Sequence, residues 1–132
     1  MTMDMATWAA IAFAVVVAGV IAFQAALALG VPWGSYAMGG AFPGRFPPRL
    51  RVAAVVQAAL LAITVAIVLS RAGLVLPTWS EAAAWLIWPV VALALVAVVL
   101  NAITPSAGER RIWVPVALMM LAFSLVVALS AP

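Results

Sequence analysis

Few side chains in this 132-residue chain can do chemistry. The carboxylates are Asp4, Glu81 and Glu109, and histidine and cysteine are both missing. Acid–base catalysis by paired carboxylates needs two such groups at one substrate. Three scattered acids offer no such pair without a second chain. Without histidine or cysteine there is no imidazole base, thiol nucleophile, thiolate metal site or disulfide. Metal cluster, nucleophile triad and phosphate loop are all lacking, and Gly39-Gly40 alone is no nucleotide motif. The expectation is therefore a chain that is not an enzyme and carries no cofactor. Two other sets of residues stand out. Five of the six arginines fall in two groups, Arg45, Arg49 and Arg51, then Arg110 and Arg111. Guanidinium groups so placed suit a phosphate-bearing lipid headgroup, another anion or a partner subunit, each worth about 1 kcal/mol near an anionic leaflet. Trp33 belongs with them as an interfacial aromatic. The second set, Gln24, Gln57, Thr64, Asn101 and Ser124, interrupts long apolar stretches. These groups suit hydrogen bonds between helices, or a neutral polar path for an ion or small solute. Gln24, Gln57 and Asn101 are the main candidates for such intramembrane contacts.

The elements that must position these residues follow from composition. Hydrophobic residues make up 70% of the chain and charged residues 7%. Soluble domains carry about 25% charged residues, so this chain lacks the polar surface of a water-soluble enzyme. A nucleic-acid partner is not expected, because the net charge of +3 is a small excess, not a dense basic face. A bilayer-spanning helix needs about 20 mostly apolar residues. Four stretches qualify, at about 6–29, 52–70, 82–103 and 112–130. The expected fold is all-α, a single domain (1–132) forming an integral membrane bundle of four transmembrane helices.

Local signals agree with these segments. The first run follows Asp4, has no basic leader and exceeds a signal-peptide core, so it is expected to remain as a helix. Thr78–Glu81 and Ser106–Glu109 have the capping-box form ahead of the third and fourth segments. Pro48 suits the first turn of the second helix, and Arg71 with Gly73 suits its end. Pro89 and Pro115 predict mild kinks or late helix starts. Alanines recur every fourth residue from Ala10 to Ala26, ending at Gly30, and again from Ala54 to Ala66. Such rows suit close helix crossing in lipid, although an Ala-rich chain produces them easily.

The connections after the first and third helices carry five arginines; the opposite side carries Arg71 alone. Basic loops collect in the cytoplasm, which places residues 30–51 and the third connection inside and both termini outside. Trp8, Trp79, Trp85 and Trp88 then fall near the outer face, and Trp33 and Trp113 near the inner one. The stretch GVPWGSYAMGGAFPGRFPPRLR at 30–51 is long for a connection between adjacent helices. Its glycines, prolines and aromatics predict a structured cytoplasmic loop, serving as a topology anchor or as a folded cap that binds a headgroup, an anion or a partner.

Several motifs carry a resemblance. Pro32-Trp33-Gly34, Ala37-Met38-Gly39-Gly40 and Pro47-Pro48-Arg49-Leu50-Arg51 are followed by Leu69-Ser70-Arg71-Ala72-Gly73. Thr104-Pro105-Ser106, Glu109-Arg110-Arg111 and Trp113-Val114-Pro115-Val116-Ala117 complete the pattern. Together they resemble an uncharacterised family of small bacterial four-helix integral membrane proteins, across nearly the whole chain. The resemblance implies placement in the bacterial inner membrane and adds no chemistry. Similarity to the small multidrug transporters stops at size and helix count, because the first helix lacks their buried glutamate. The fluoride channels' Gly-Arg and Thr/Phe patterns are likewise not evident. The expected function is a non-enzymatic accessory or assembly component, homo-oligomeric or bound to a larger membrane protein. The alternative is a small oligomeric transporter or channel.

Overall fold

The computed structural model describes residues 4–131. Among these residues there are four α-helices of 24 residues each: α1 (Met5–Ala28), α2 (Pro48–Arg71), α3 (Ser80–Ile103) and α4 (Ala107–Ser130). Each is about 36 Å long at about 1.5 Å per residue, against about 30 Å of bilayer hydrocarbon. All four are long and apolar enough to cross a membrane. They pack in up-down-up-down order around a square, each beside its chain neighbours and α1 beside α4. The α2–α3 side is the loosest of the four.

Packing follows a 3–4 alternation along each helix, the spacing at which one seam keeps facing its neighbours. In α1 the buried positions Ala6, Ala10, Phe13 and Val17 set this rhythm. Continued, it reaches Val20, Gln24 and Leu27. In α3 it runs through Ala83, Ile87, Val90 and Ala94, and reaches Ala97 and Asn101. In α2 it passes from Ala54 through Gln57 and Leu61 to Thr64 and Val68. Gln24, Thr64 and Asn101 therefore lie on the inward seams, while Gln57 sits at the exposed edge of its own.

The two halves of the bundle are built differently. Near the chain termini, Phe13, Val17, Ile87, Val68 and Val127 are fully buried in one core. Thr64 and Ser124 are buried beside them and donate to carbonyls of their own helices, those of Leu61 and Leu121. Such back-bonding satisfies a hydroxyl without a partner helix. At the opposite end, where the long connection lies, the core is smaller: Leu27, Phe46 and Ala54.

Helix ends differ from expectation in instructive ways. Asp4 caps α1 by accepting from the Thr7 amide at 2.7 Å. The second and fourth helices begin at Pro48, as its first-turn signal suggested, and at Ala107, directly after Ser106, several residues ahead of the apolar spans that start near 52 and 112. Arg49, Arg51, Arg110 and Arg111 thus sit in first turns, where charge ends an apolar run without ending a helix. The third helix starts at Ser80, without the expected Thr78–Glu81 box. Residues Pro77–Trp79 form a separate 3₁₀ turn, and the Ser80 hydroxyl donates back to the Pro77 carbonyl. Pro89 and Pro115 lie within α3 and α4, so neither delays a helix start. The alanine rows do not form continuous seams. Ala10 is buried, but Ala18, Ala22 and Ala62 face outward, as a four-residue step in a helix of about 3.6 residues per turn requires. At the terminal end, the Arg71 guanidinium donates to the Ala131 carbonyl at 2.9 Å and ties α2 to the end of α4.

Candidate functional site: a capped cavity at the loop end

The long connection folds on itself before it meets the bundle. It contains 3₁₀ turns at Gly34–Tyr36 and Met38–Gly40. The Gly34 amide donates to the Gly44 carbonyl at 2.8 Å. A side chain at Gly34 would collide with the Phe42 carbonyl, so glycine is required for this closure. Arg45 donates from Nε to the Gly30 carbonyl at 3.0 Å, and Arg51 from Nε to the Phe46 carbonyl at 2.8 Å. These bonds satisfy carbonyls that follow the end of α1 and precede α2, and Phe46 is buried beneath them.

The folded loop docks on the start of α4 through three hydrogen bonds. Ser106 Oγ donates to the Ser35 carbonyl at 3.1 Å. Trp113 Nε1 donates to the Tyr36 carbonyl at 2.7 Å. The Gly39 amide donates to Glu109 Oε2 at 2.9 Å. Glu109 also corrects the capping reading. Ser106 Oγ does accept from the Glu109 amide at 3.2 Å. The Ser106 amide, however, faces Thr104 Oγ1, and the Glu109 carboxylate crosses to the loop instead. Only half of a capping box is present, and its carboxylate has become a tertiary contact 70 residues from its partner. The Tyr36 ring lies against Gly108, where a Cβ would come within 2.8 Å of it.

Between this cap and the packed half lies a cavity of about 490 Å³. Helix α1 contributes Val20, Phe23 and Gln24; α2 contributes Ala53, Gln57 and Leu61. Helix α3 gives Ala97, Leu100 and Asn101, and α4 gives Glu109, Trp113 and Met120, while Tyr36 and Met38 face it from the cap. The void reaches from the loop end to about the middle of the bundle, since Leu61 and Met120 stand about 20 Å along their helices. Ala53, Gln57 and Leu100 are wall residues that are also exposed, which puts a mouth at the loose α2–α3 seam. Small residues line part of the wall: Ala53 and Ala54 from α2, Ala97 from α3 and Ala117 from α4. Compared with known families, curated proteins and solved structures, the chain has no match.

The structure brings Gln24, Gln57 and Asn101 from three helices to one cavity. Asn101 Nδ2 donates to the Ala97 carbonyl at 2.7 Å, which fixes its amide. The arginines take another place: none of the six lies in the cavity wall. Arg45 and Arg51 tie the loop together, and Arg110 donates to the Thr104 carbonyl at 2.7 Å. Arg49 and Arg111 are exposed on the first turns of α2 and α4. Trp33 stacks on Phe23 with centroids 6.2 Å apart, and Phe23 meets Trp113 edge-on at 4.6 Å. Aromatic pairs in such offset or edge geometries add about 0.5–1.5 kcal/mol to burial.

Glu109 is the residue that sequence reasoning passed over as a cavity group. Its local capping pattern and basic neighbours pointed to an end-of-helix role. A signal was present in its spacing: Glu109, Trp113, Val116 and Met120 follow the inward 3–4 rhythm. Chemically, the wall combines apolar faces, three carboxamides and one carboxylate. Asp4 and Glu81 lie at the other end of the bundle, so this arrangement suits recognition more than paired-carboxylate catalysis.

Proposed function

We propose that the chain is a multi-pass protein of the bacterial inner membrane, with the loop end in the cytoplasm and both termini outside. In this reading it is not an enzyme but a small solute-handling protein that takes one small amphipathic molecule into the loop-end cavity. The observation that carries it is the contrast between halves: one is close-packed, while the other holds a partly open cavity of about 490 Å³ lined by Gln24, Gln57 and Asn101. Ligand sites are concave, mostly apolar and supplied with a few convergent polar groups. With the helices across a bilayer, the α2–α3 mouth opens toward the inner leaflet, so a ligand enters from lipid. The monomer already forms the cavity, and the five arginines gathered at the loop end support the same placement.

Native mass spectrometry of protein extracted in mild detergent tests this reading. Adducts of a few hundred daltons are expected on the parent chain. Ala53→Trp sets an indole across the mouth and should abolish them. Adducts equally present in Ala53→Trp, or absent from both, would contradict cavity binding.

A second reading, the accessory or assembly component, draws on the outward guanidinium groups of Arg49 and Arg111 beside the folded cap. It predicts a larger membrane protein that co-purifies with the parent chain and is lost when both arginines become alanine. Its absence from native-membrane pull-downs would remove this reading.

A further inference from the structure

We infer that the cavity selects an organic ammonium cation with an apolar body, using Glu109 as counter-charge and the aromatic wall as its seat. This rests on the cavity-binding reading above and adds the charge of the ligand. Among the described residues Glu109 is the one carboxylic acid in the wall, and it is only 8% exposed. Phe23, Tyr36, Phe46 and Trp113 line the same space, with no arginine among them. Aromatic faces attract ammonium groups, most strongly where water is excluded, and quaternary ammonium ligands are held by such cages. A carboxylate among aromatic rings therefore suits a cation and repels an anion. The arginines lie outside the wall, so they do not neutralise it from within. The start of α4 contributes a positive dipole end near Glu109. That end partly offsets the pull of Glu109 on a cation, which leaves the aromatic rings an essential share of the binding.

Three probes of one shape but different charge separate the possibilities: benzyltrimethylammonium, neopentylbenzene and benzylsulfonate. Each is titrated calorimetrically into the full chain in dodecyl maltoside. Binding is taken as the signal that Ala53→Trp removes, which subtracts partition into micelles. Benzyltrimethylammonium is expected to bind about tenfold more tightly than neopentylbenzene, with benzylsulfonate weakest. Glu109→Gln keeps an acceptor for the Gly39 amide while removing the charge, so the cap should stay folded. It should bring the cation close to the affinity of the neutral probe. Phe23→Leu leaves Glu109 intact and should weaken the cation severalfold more than the neutral probe. If the probes bind alike, or Glu109→Gln keeps the cation preference, the charge inference falls while cavity binding stands. If no probe gives a signal that Ala53→Trp removes, both fall.

Discussion

Glu109 links cap and bundle through one hydrogen bond, and its neighbours make that bond testable. Glu109→Ala leaves the Gly39 amide without its acceptor at a part-buried site, a loss of about 1–3 kcal/mol. Glu109→Gln retains an amide oxygen and should lose much less. Thermal unfolding followed by tryptophan fluorescence should therefore rank parent, Gln and Ala in falling order. Equal midpoints for Gln and Ala would mean the Gly39 contact contributes nothing. Gly108→Ala tests the Tyr36 contact. The added methyl would meet the ring at 2.8 Å, so the ring or the helix start must shift, as overpacking does at about 1–3 kcal/mol. Its expected signature is a lower midpoint with new proteolytic sensitivity in residues 34–40. At the far end, the Thr7 hydrogen bonds hold the Asp4 carboxyl below its ordinary range. A depressed folded value means the cap's contribution is present above the ordinary carboxylate range and is lost as pH falls through the lowered one. Protection of the first-turn amides of α1, measured against their intrinsic exchange rates at each pH, should fall over that acid range, and should not change in Asp4→Ala. The sequence identified Gln24, Gln57 and Asn101 because a polar side chain in an apolar run is conspicuous. Glu109 was hidden by its place beside Arg110 and Arg111, where a carboxylate has an ordinary local explanation.

Among elements, the connection between α1 and α2 carries the most information. Its glycines and prolines foretold turns, yet they do not encode which surface those turns meet. The docking depends on Ser106, Glu109 and Trp113, about 70 residues further along. The arginines divide by role in the same way. Arg51→Ala removes the bond to the Phe46 carbonyl and the guanidinium that lies over Gly30, so it should loosen the loop and lower the unfolding midpoint. Arg49→Ala alters an exposed charge and should leave the midpoint unchanged. Similar effects of the two would contradict this division. Helix boundaries were legible to within a few residues, and the shortfall has one cause. Apolar runs stop at the first charge, whereas α2 and α4 carry arginines in their opening turns. Thr78 shows the reverse failure, where Pro77 gave the chain a separate turn and the capping pattern went unused.

For the whole molecule, helix number was readable and the inward faces were not. In a soluble bundle the outward face is polar, and the apolar stripe identifies the core. Here Val15, Leu93 and Val99 point outward and are as apolar as the core, so only the sparse polar residues betray the inner seams. The hollow half was illegible too, because it depends on small alanines of three helices, Ala53 and Ala54, Ala97 and Ala117, meeting at one level. The proposed orientation is checked by single cysteines in this cysteine-free chain. Thr2→Cys should react with an impermeant reagent outside intact cells and Ala107→Cys should not, and the reverse pattern would overturn the threading. The cavity itself is tested most directly by thiol reactivity in membranes. Methanethiosulfonates convert a thiolate to a mixed disulfide with release of methanesulfinate, and forming the thiolate requires water. The cavity account predicts rapid labelling of Gln24→Cys and protection of Val68→Cys in the packed half. Equal protection of both, or equal labelling of both, would contradict a bundle that is close-packed at one end and hollow at the other.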